Sequence, residues 1–129
     1  MSYLLDTNFV IGLLRGASSY WDCLDELLEK AIPTVSVVTR AEIFAGCHPN
    51  EQRATSNLLD RFQTITLQSS VADLAGNYVY RYRKRGIILH LEDALIGATA
   101  VFEGLILVSR NVSDFPMLSL GQNLLRFPY

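Results

Sequence analysis

Short apolar segments alternate with segments of helical periodicity along this chain, and this alternation constrains its fold more than any other feature. Parallel strands need a crossover of a dozen or more residues, usually a helix, so strands spaced in this way are expected to pair in parallel. A chain of 129 residues is long enough to build one hydrophobic core. We therefore expect an α/β fold, a single-domain α/β/α sandwich with a central, mainly parallel sheet, over residues 1–129.

The periodicity of the apolar residues assigns the individual elements. The predicted strands are residues 2–5, 34–38, 62–67, 105–108 and 124–127. The predicted helices are residues 7–14, 20–30, a helix that begins at 39, 51–61, 71–85 and 91–103. Ser18 or Ser19 is the expected cap of the second helix, and Gly86 and Gly104 are expected to end the last two.

The composition and charge of the chain indicate where the protein acts and what it can bind. Half of the residues are hydrophobic and 19% are charged, as in a packed globular protein. No uncharged stretch is long enough to span a bilayer, and the first residues do not resemble a signal peptide, so we expect no membrane association and a cytoplasmic location. Cys23 and Cys47 lack the spacing of a zinc site or a disulfide framework. The net charge of −2 gives no basic surface, so nucleic-acid binding would have to depend on local groups.

Four acidic residues occupy related places in this pattern. Asp6 ends the first predicted strand, Glu42 follows the second by one helical turn, Asp93 opens the central helix, and Asp114 lies beyond the next strand. Ligands of open α/β sheets bind in the crevice outside the carboxyl ends of the strands, where these side chains are expected to meet. The sequence therefore predicts a cluster of four carboxylates at one edge of the sheet.

Such a cluster needs a counter-charge. Two carboxylates about 4 Å apart repel by about 4 kcal/mol at an effective dielectric constant of about 20. Oxygen ligands without nearby His or Cys favour Mg²⁺ or Mn²⁺ over Zn²⁺. A divalent cation held in this way can orient and activate water for hydrolysis of a phosphodiester bond, which is nuclease chemistry.

Four stretches of the sequence resemble the successive motifs of one known family. They are LDTN at 5–8, RAEI at 40–43, EDALIGATA at 92–100 and SRNVSDF at 109–115. Together they are similar to the motifs of the PIN domain, specifically of the VapC-type toxins of toxin–antitoxin pairs. Ser109 stands where the family commonly has Thr, and Glu92 precedes Asp93 where a neutral residue is frequent.

This resemblance implies a metal-dependent endoribonuclease that cleaves RNA. Asp6, Glu42, Asp93 and Asp114 match the family's four catalytic and metal-binding acids, and Asn8 matches the polar residue after the first of them. Ser109 keeps the hydroxyl of the family's Thr as a supporting polar group. Such proteins are usually homodimers and are held inactive by a cognate antitoxin.

Each acid also has a purely structural interpretation. Asp6 can cap the helix that follows it, and Thr39 with Glu42 fits a capping box. Asp93 can complement a helix dipole in the first turn, and Asp114 can begin an ordinary turn. The joint placement of the four favours a shared site.

Basic residues are the candidate RNA contacts. Arg81, Arg83, Lys84 and Arg85 alternate with tyrosines, which suits stacking and backbone contacts to RNA, although cations also stabilise a helix C-terminus. Arg40 and Arg110 lie within the motifs and are further candidates. Two other functions remain open: a catalytically inactive PIN-fold interaction module, and a phosphohydrolase with Asp6 as covalent nucleophile.

Overall fold

A five-stranded parallel sheet forms the centre of the computed structural model, which describes residues 2–127. The strands lie in the order β3-β2-β1-β4-β5, and every neighbouring pair is parallel. Their bounds are β1 Tyr3–Leu5, β2 Thr34–Ser36, β3 Gln63–Ile65, β4 Ile106–Ser109 and β5 Leu124–Arg126. The predicted α/β/α sandwich is confirmed.

Within residues 2–127, six α-helices cover the two faces of this sheet. Their bounds are α1 Thr7–Leu14, α2 Ser18–Leu28, α3 Val37–Ala45, α4 Gln52–Leu59, α5 Ser69–Lys84 and α6 Leu91–Glu103. Short 3-10 helices cover Pro49–Glu51 and Val112–Asp114. Within residues 2–127, no helix has both the length and the apolar character that a membrane crossing requires.

The side chains of β1 divide the core into two layers, because successive residues of a strand point to opposite faces. Leu5 packs in a cluster with residues of α1, α2 and α4, such as Phe9 and Leu24. Leu4 packs on the other face with Ile96 of α6 and Phe115. β1 is therefore buried on both sides, as its unbroken apolar sequence requires.

The strand order places a switch point beside β1. From β1 the chain moves outward to β2 and β3, then returns through α5 and α6 to form β4 on the opposite side of β1. Leu5 is in register with Val108, and the N–H of Asp6 donates to the carbonyl of Val108 at 3.0 Å. The crevice at the carboxyl ends of β1 and β4 is the place where such folds bind ligands.

The second strand is shorter than predicted, and the helix after it begins earlier. β2 ends at Ser36, whose side chain accepts a hydrogen bond from the N–H of Val38 at 3.0 Å and caps α3. The β-branched residues Val37 and Val38 therefore belong to the helix. The predicted helix start at Thr39 is wrong for this reason.

The remaining differences lie at element ends. The N-cap of α2 is Ala17, not Ser18 or Ser19, because the chain reverses at Gly16 with φ +75° and α2 begins at once. The strands predicted at 62–67 and 124–127 are shorter, and β4 extends to Ser109. The predicted bounds of α6 are confirmed, and Gly104 ends it with φ +65°.

Candidate active site

Asp6 lies at the carboxyl end of β1 and is buried, with 4% of its surface exposed. Its Oδ1 accepts the N–H of Thr7 at 2.8 Å, and its Oδ2 accepts the hydroxyl of Ser109 at 2.7 Å. Asp6 is thus the N-cap of α1, as its structural interpretation predicts. The same carboxylate joins the ends of β1 and β4 at the crevice, so capping and a place in the site coexist.

Glu42 lies in the second turn of α3 and turns toward Asp6. Its Oε1 accepts the hydroxyl of Thr7 at 2.8 Å, and the hydroxyl of Thr7 is 3.0 Å from that of Thr39. Since Thr7 has one hydroxyl proton, Thr39 is the donor in this second pair. The capping box proposed for Thr39 and Glu42 is wrong, because Ser36 caps the helix and leaves Glu42 available to the crevice.

Asp93 and Asp114 complete the group of acids. Asp93 is the third residue of α6 and is half-buried, whereas Asp114 ends the 3-10 helix after β4 and is exposed. Burial raises the pKa of Asp93 to about 7, and the charges of the neighbouring carboxylates act in the same direction. These carboxylates belong, in order of effect, to Asp114, Asp6, Glu92 and Glu42.

The pKa of Asp6 is also raised, chiefly by burial, against the lowering effect of the hydrogen bonds from Ser109 and Thr7. The charges of Glu42 and Asp114 raise it further. The structure therefore brings the four predicted acids close enough for their charges to interact. We call these four residues, Asp6, Glu42, Asp93 and Asp114, the acidic centre.

No cation neutralises the acidic centre within the described part of the chain. The ion pair formed by residues 2–127 joins Arg40 to Asp60 at 3.3 Å and involves none of these acids. Carboxylate oxygens with unbalanced charge have the donor chemistry that Mg²⁺ and Mn²⁺ prefer. As placed, however, no three acidic, His or Cys side chains of residues 2–127 are grouped closely enough to hold a metal ion. The donor set fits a divalent cation, but the side chains are not preassembled around one.

The structure separates the predicted basic strip into different helix faces. Arg81 stacks over Tyr78 at 5.2 Å and Arg85 over Tyr82 at 5.4 Å, and these four side chains line a cavity of about 220 Å³ with Met117. Lys84 instead lies over Tyr80, and Arg83 is exposed. Arg40 bonds to Asp60 and to Thr64.

Asn8, Ser109 and Arg110 surround the start of α1. Ser109 is buried and also accepts the N–H of Asn111 at 3.0 Å. Asn8 and Arg110 line a separate cavity beside α1.

The sequence interpretation missed Thr7 and Thr39 as members of the site. The signal for both was present, since Thr7 directly follows Asp6 and Thr39 precedes Glu42 by three residues on the same helical face.

Comparison with known proteins defines the class to which this fold and site belong. The PIN domain profile matches residues 3–116, and the chain belongs to the PIN domain family. It is 34% identical over 114 residues to ribonuclease VapC10 of Mycobacterium tuberculosis, covering 88% of this chain and 86% of that protein.

Solved structures with the same fold include a toxin–antitoxin complex from Klebsiella pneumoniae, with a TM-score of 0.80, 27% identity and 98% coverage of both chains. The structure of VapBC2 from Rickettsia felis bound to a promoter DNA fragment has a TM-score of 0.83 at 24% identity, again over 98% of both chains. The fold predicted from the sequence is therefore that of PIN domains.

Proposed function

We propose that this protein is a divalent-metal-dependent endoribonuclease and the toxin of a toxin–antitoxin pair. One observation carries the proposal: four acids from separate segments gather at the carboxyl edge of the sheet, interact electrostatically and have no ion-pair partner among residues 2–127. The relative named as a ribonuclease and the neighbour solved as a toxin–antitoxin complex support the same function.

The four carboxylates would hold Mg²⁺ or Mn²⁺, which supplies a Lewis acid and lowers the pKa of water when bound. The chain's own contribution is orientation. Ser109 and Thr7 fix both oxygens of Asp6, and Thr7 fixes Oε1 of Glu42. Hydrogen bonds thus hold Asp6 and Glu42 in place. Burial and the neighbouring carboxylates raise the pKa of Asp93 to about 7, so binding of a cation there would release a proton near neutral pH.

Of the predicted RNA contacts in this region we favour Arg81, in the last turn of α5, and Arg85, the C-cap of that helix. They lie near the end of that helix, and residues 85–90 connect it to the start of α6, where Asp93 lies. Each guanidinium already covers a tyrosine ring, which is the arrangement that accepts a stacked base and a phosphate. Arg110 follows β4 directly. We also propose that Arg83 and Lys84, on other faces of α5, contact the RNA backbone.

The proposal extends to partners and place of action. An RNA substrate implies action in the cytoplasm, and the toxin–antitoxin neighbour supports a cognate antitoxin as partner. We also propose a homodimer, which light scattering of the purified protein would test. A molecular mass of one chain at micromolar concentration would contradict this part.

The test of the enzymatic proposal is the variant Asp93→Asn. Wild-type protein with Mn²⁺ is expected to cleave single-stranded RNA, and the variant is expected to lose at least about 100-fold in rate because one carboxylate ligand is removed. Asp73→Asn, an exposed acid of α5, is the matched control and should cleave like wild type. An undiminished rate in Asp93→Asn would remove the mechanism.

The inactive interaction module remains the second candidate, because the acids of residues 2–127 are not preassembled for a metal ion. Calorimetric titration with Mn²⁺ separates the two functions. If wild-type protein binds Mn²⁺ and Asp93→Asn binds it less, the result supports the enzyme. If wild-type protein does not bind Mn²⁺, the result supports the interaction module. The covalent phosphohydrolase is disfavoured, since Asn8 stands two residues after Asp6, where that class usually has a second acid.

A further inference from the structure

A cavity of about 330 Å³ runs along α1 beside the acidic centre. Its polar lining consists of two arginines and two asparagines, and Tyr20 also lines it. Its lining includes Asn8, Arg15, Tyr20, Arg110 and Asn111. We call this space the arginine cavity. Its volume is in the range of small-ligand sites and suits one nucleotide better than a folded partner.

The arginine cavity is attached to the acidic centre by hydrogen bonds. The N–H of Asn111 donates to Oγ of Ser109 at 3.0 Å, and Ser109 donates to Oδ2 of Asp6 at 2.7 Å. Asn8, which also lines the cavity, follows Asp6 by two residues within the first turn of α1. Asn8 and Asn111 are therefore both tied closely to the same buried carboxylate, so a ligand in the cavity would lie next to the acidic centre.

The charge of the arginine cavity is opposite to that of the acidic centre. No acidic residue is among its described lining residues, and neither Arg15 nor Arg110 belongs to the ion pair that residues 2–127 form. Arg15 also lines a second groove, of about 530 Å³, which contains Glu42. Arg15 thus stands between the two spaces that flank α1, and its guanidinium is available to an anion in either.

An RNA substrate needs such cations. The acidic centre repels phosphates, and a net charge of −2 gives no general attraction for a polyanion. Affinity for RNA depends mainly on neutralised phosphates, so it must come from local arginines near the cleavage point. Guanidinium groups match phosphate oxygens in pairs, and side-chain amides can both donate to and accept from a base edge.

We propose, on the basis of the proposed function, that the arginine cavity binds the nucleotide next to the cleaved phosphodiester of a single-stranded RNA. Arg15 and Arg110 hold its phosphate, and Asn8 and Asn111 contact its base. A base-paired strand would not offer a free base edge to this cavity, so the substrate is unpaired at this position.

The test measures RNA binding separately from cleavage. A fluorescein-labelled 12-nucleotide RNA is titrated with Asp93→Asn protein by anisotropy at several salt concentrations, and Arg15→Ala or Arg110→Ala is then added to that background. Each is expected to weaken binding about 10-fold, and the two substitutions together are expected to lower the slope of log Kd against log salt by about 0.7, the value for the one phosphate that both arginines hold. Arg15→Lys should keep the slope and lose part of the affinity, because it lacks the paired donors.

Arg53→Ala is the matched control, since Arg53 is exposed on α4 and lies outside the arginine cavity. It should change neither the affinity nor the slope. Equal losses in Arg53→Ala and Arg15→Ala would overturn the proposal, and so would unchanged binding in Arg15→Ala. A decamer of glutamate that displaces the RNA as well as unlabelled RNA does would also overturn it, by showing a general anion surface.

Failure of this inference is distinguishable from failure of the proposed function. Cleavage by wild-type protein with Mn²⁺, together with RNA binding that does not depend on Arg15 or Arg110, would leave the enzyme and remove the cavity's role. Binding that depends on both arginines, without any cleavage by wild-type protein, would leave an RNA-binding cavity and remove the endoribonuclease.

Discussion

Among residues 2–127, Thr7 makes hydrogen bonds to two members of the acidic centre, Asp6 and Glu42. Its N–H donates to Asp6, its hydroxyl donates to Glu42, and it accepts from Thr39. A hydrogen bond to a charged group contributes about 1.5–3 kcal/mol, so this residue couples the end of β1 to α3. Positioning residues of this kind act through the ligands that they hold.

Thr7→Val should therefore impair the site more than the fold. Valine keeps the shape of threonine and the backbone N–H to Asp6, but Glu42 loses its donor. We expect RNA cleavage and Mn²⁺ affinity to fall about 10- to 100-fold, measured by cleavage rate and calorimetry. Thr66→Val, at an exposed position after β3, is the control. Equal activity of both variants would contradict the role of Thr7.

Asp93 should make the stability of the metal-free protein depend on pH. Its pKa is raised from an ordinary value of 3.8 to about 7, so the folded state binds this proton more tightly than the unfolded state. The resulting stabilisation is complete below the ordinary pKa and is lost as the pH rises through about 7. In EDTA, the free energy of unfolding should be larger at pH 6 than at pH 8.

Asp93→Asn should flatten this dependence. At pH 8, we expect the free energy of unfolding of the variant to exceed that of wild type by about 1 kcal/mol. The value is small because solvent screens half-buried charges. Chemical denaturation at both pH values provides the measurement. In Asp73→Asn, the free energy of unfolding should change between pH 6 and pH 8 as it does in wild type. An identical change in all three proteins would show that repulsion at Asp93 is unimportant.

At the scale of elements, the junction of α1 and α2 depends on one glycine. A Cβ on Gly12 would lie 2.7 Å from two carbons of the Tyr20 ring, closer than real Cβ contacts. Tyr20 in turn packs edge-on against Phe9 with ring centroids 5.3 Å apart. Since the ring is held on both sides, it cannot move away cheaply.

Gly12→Ala should destabilise the protein although alanine favours helices. Overpacking costs about 1–3 kcal/mol, which exceeds the gain of up to about 1 kcal/mol from helix propensity. Gly76→Ala in α5 is the matched comparison, because no atom lies within 4 Å of its added Cβ, and it should raise the melting temperature. Thermal melts that rank the two variants in the reverse order would contradict this packing argument.

The bounds of two helices show what the sequence could and could not predict. The bounds of α6 were correct because Gly104 ends it in a left-handed conformation and Leu91 begins a continuous apolar helix. The junction of β2 and α3 was wrong because the side chain of Ser36 captures the N–H of Val38 and overrides the β preference of two valines. A local hydrogen bond decided that boundary, and the periodicity of the segment does not encode it.

For the whole molecule, the general position of the acids followed from the rule for parallel sheets, whereas their contacts did not. The hydrogen bond from Ser109 to Asp6 joins residues 103 positions apart and depends on the register of β1 with β4. The contact of Thr7 with Glu42 depends on where α3 begins. Such geometry arises from the packing of several elements, so single segments could not predict it.

Binding of a divalent cation should stabilise the entire chain, since only the folded state brings the acids together. At a Mn²⁺ concentration about 100 times its Kd, we expect the free energy of unfolding to increase by about 2.7 kcal/mol and the melting temperature to rise by several degrees. Asp114→Asn should reduce this rise. Asp73→Asn should preserve it, and an identical rise in both variants would place the cation elsewhere.

The position of β1 between β2 and β4 also determines when, during synthesis, the proposed nuclease site can form. Its neighbour β4 and Asp114 lie in the last quarter of the chain, and β1 lies at the start. Synthesis runs from the N-terminus, so a nascent chain on the ribosome carries Asp6 and Glu42 long before their partners exist. A translation product that stops before residue 106 lacks the central pairing, and we expect every such fragment to be harmless.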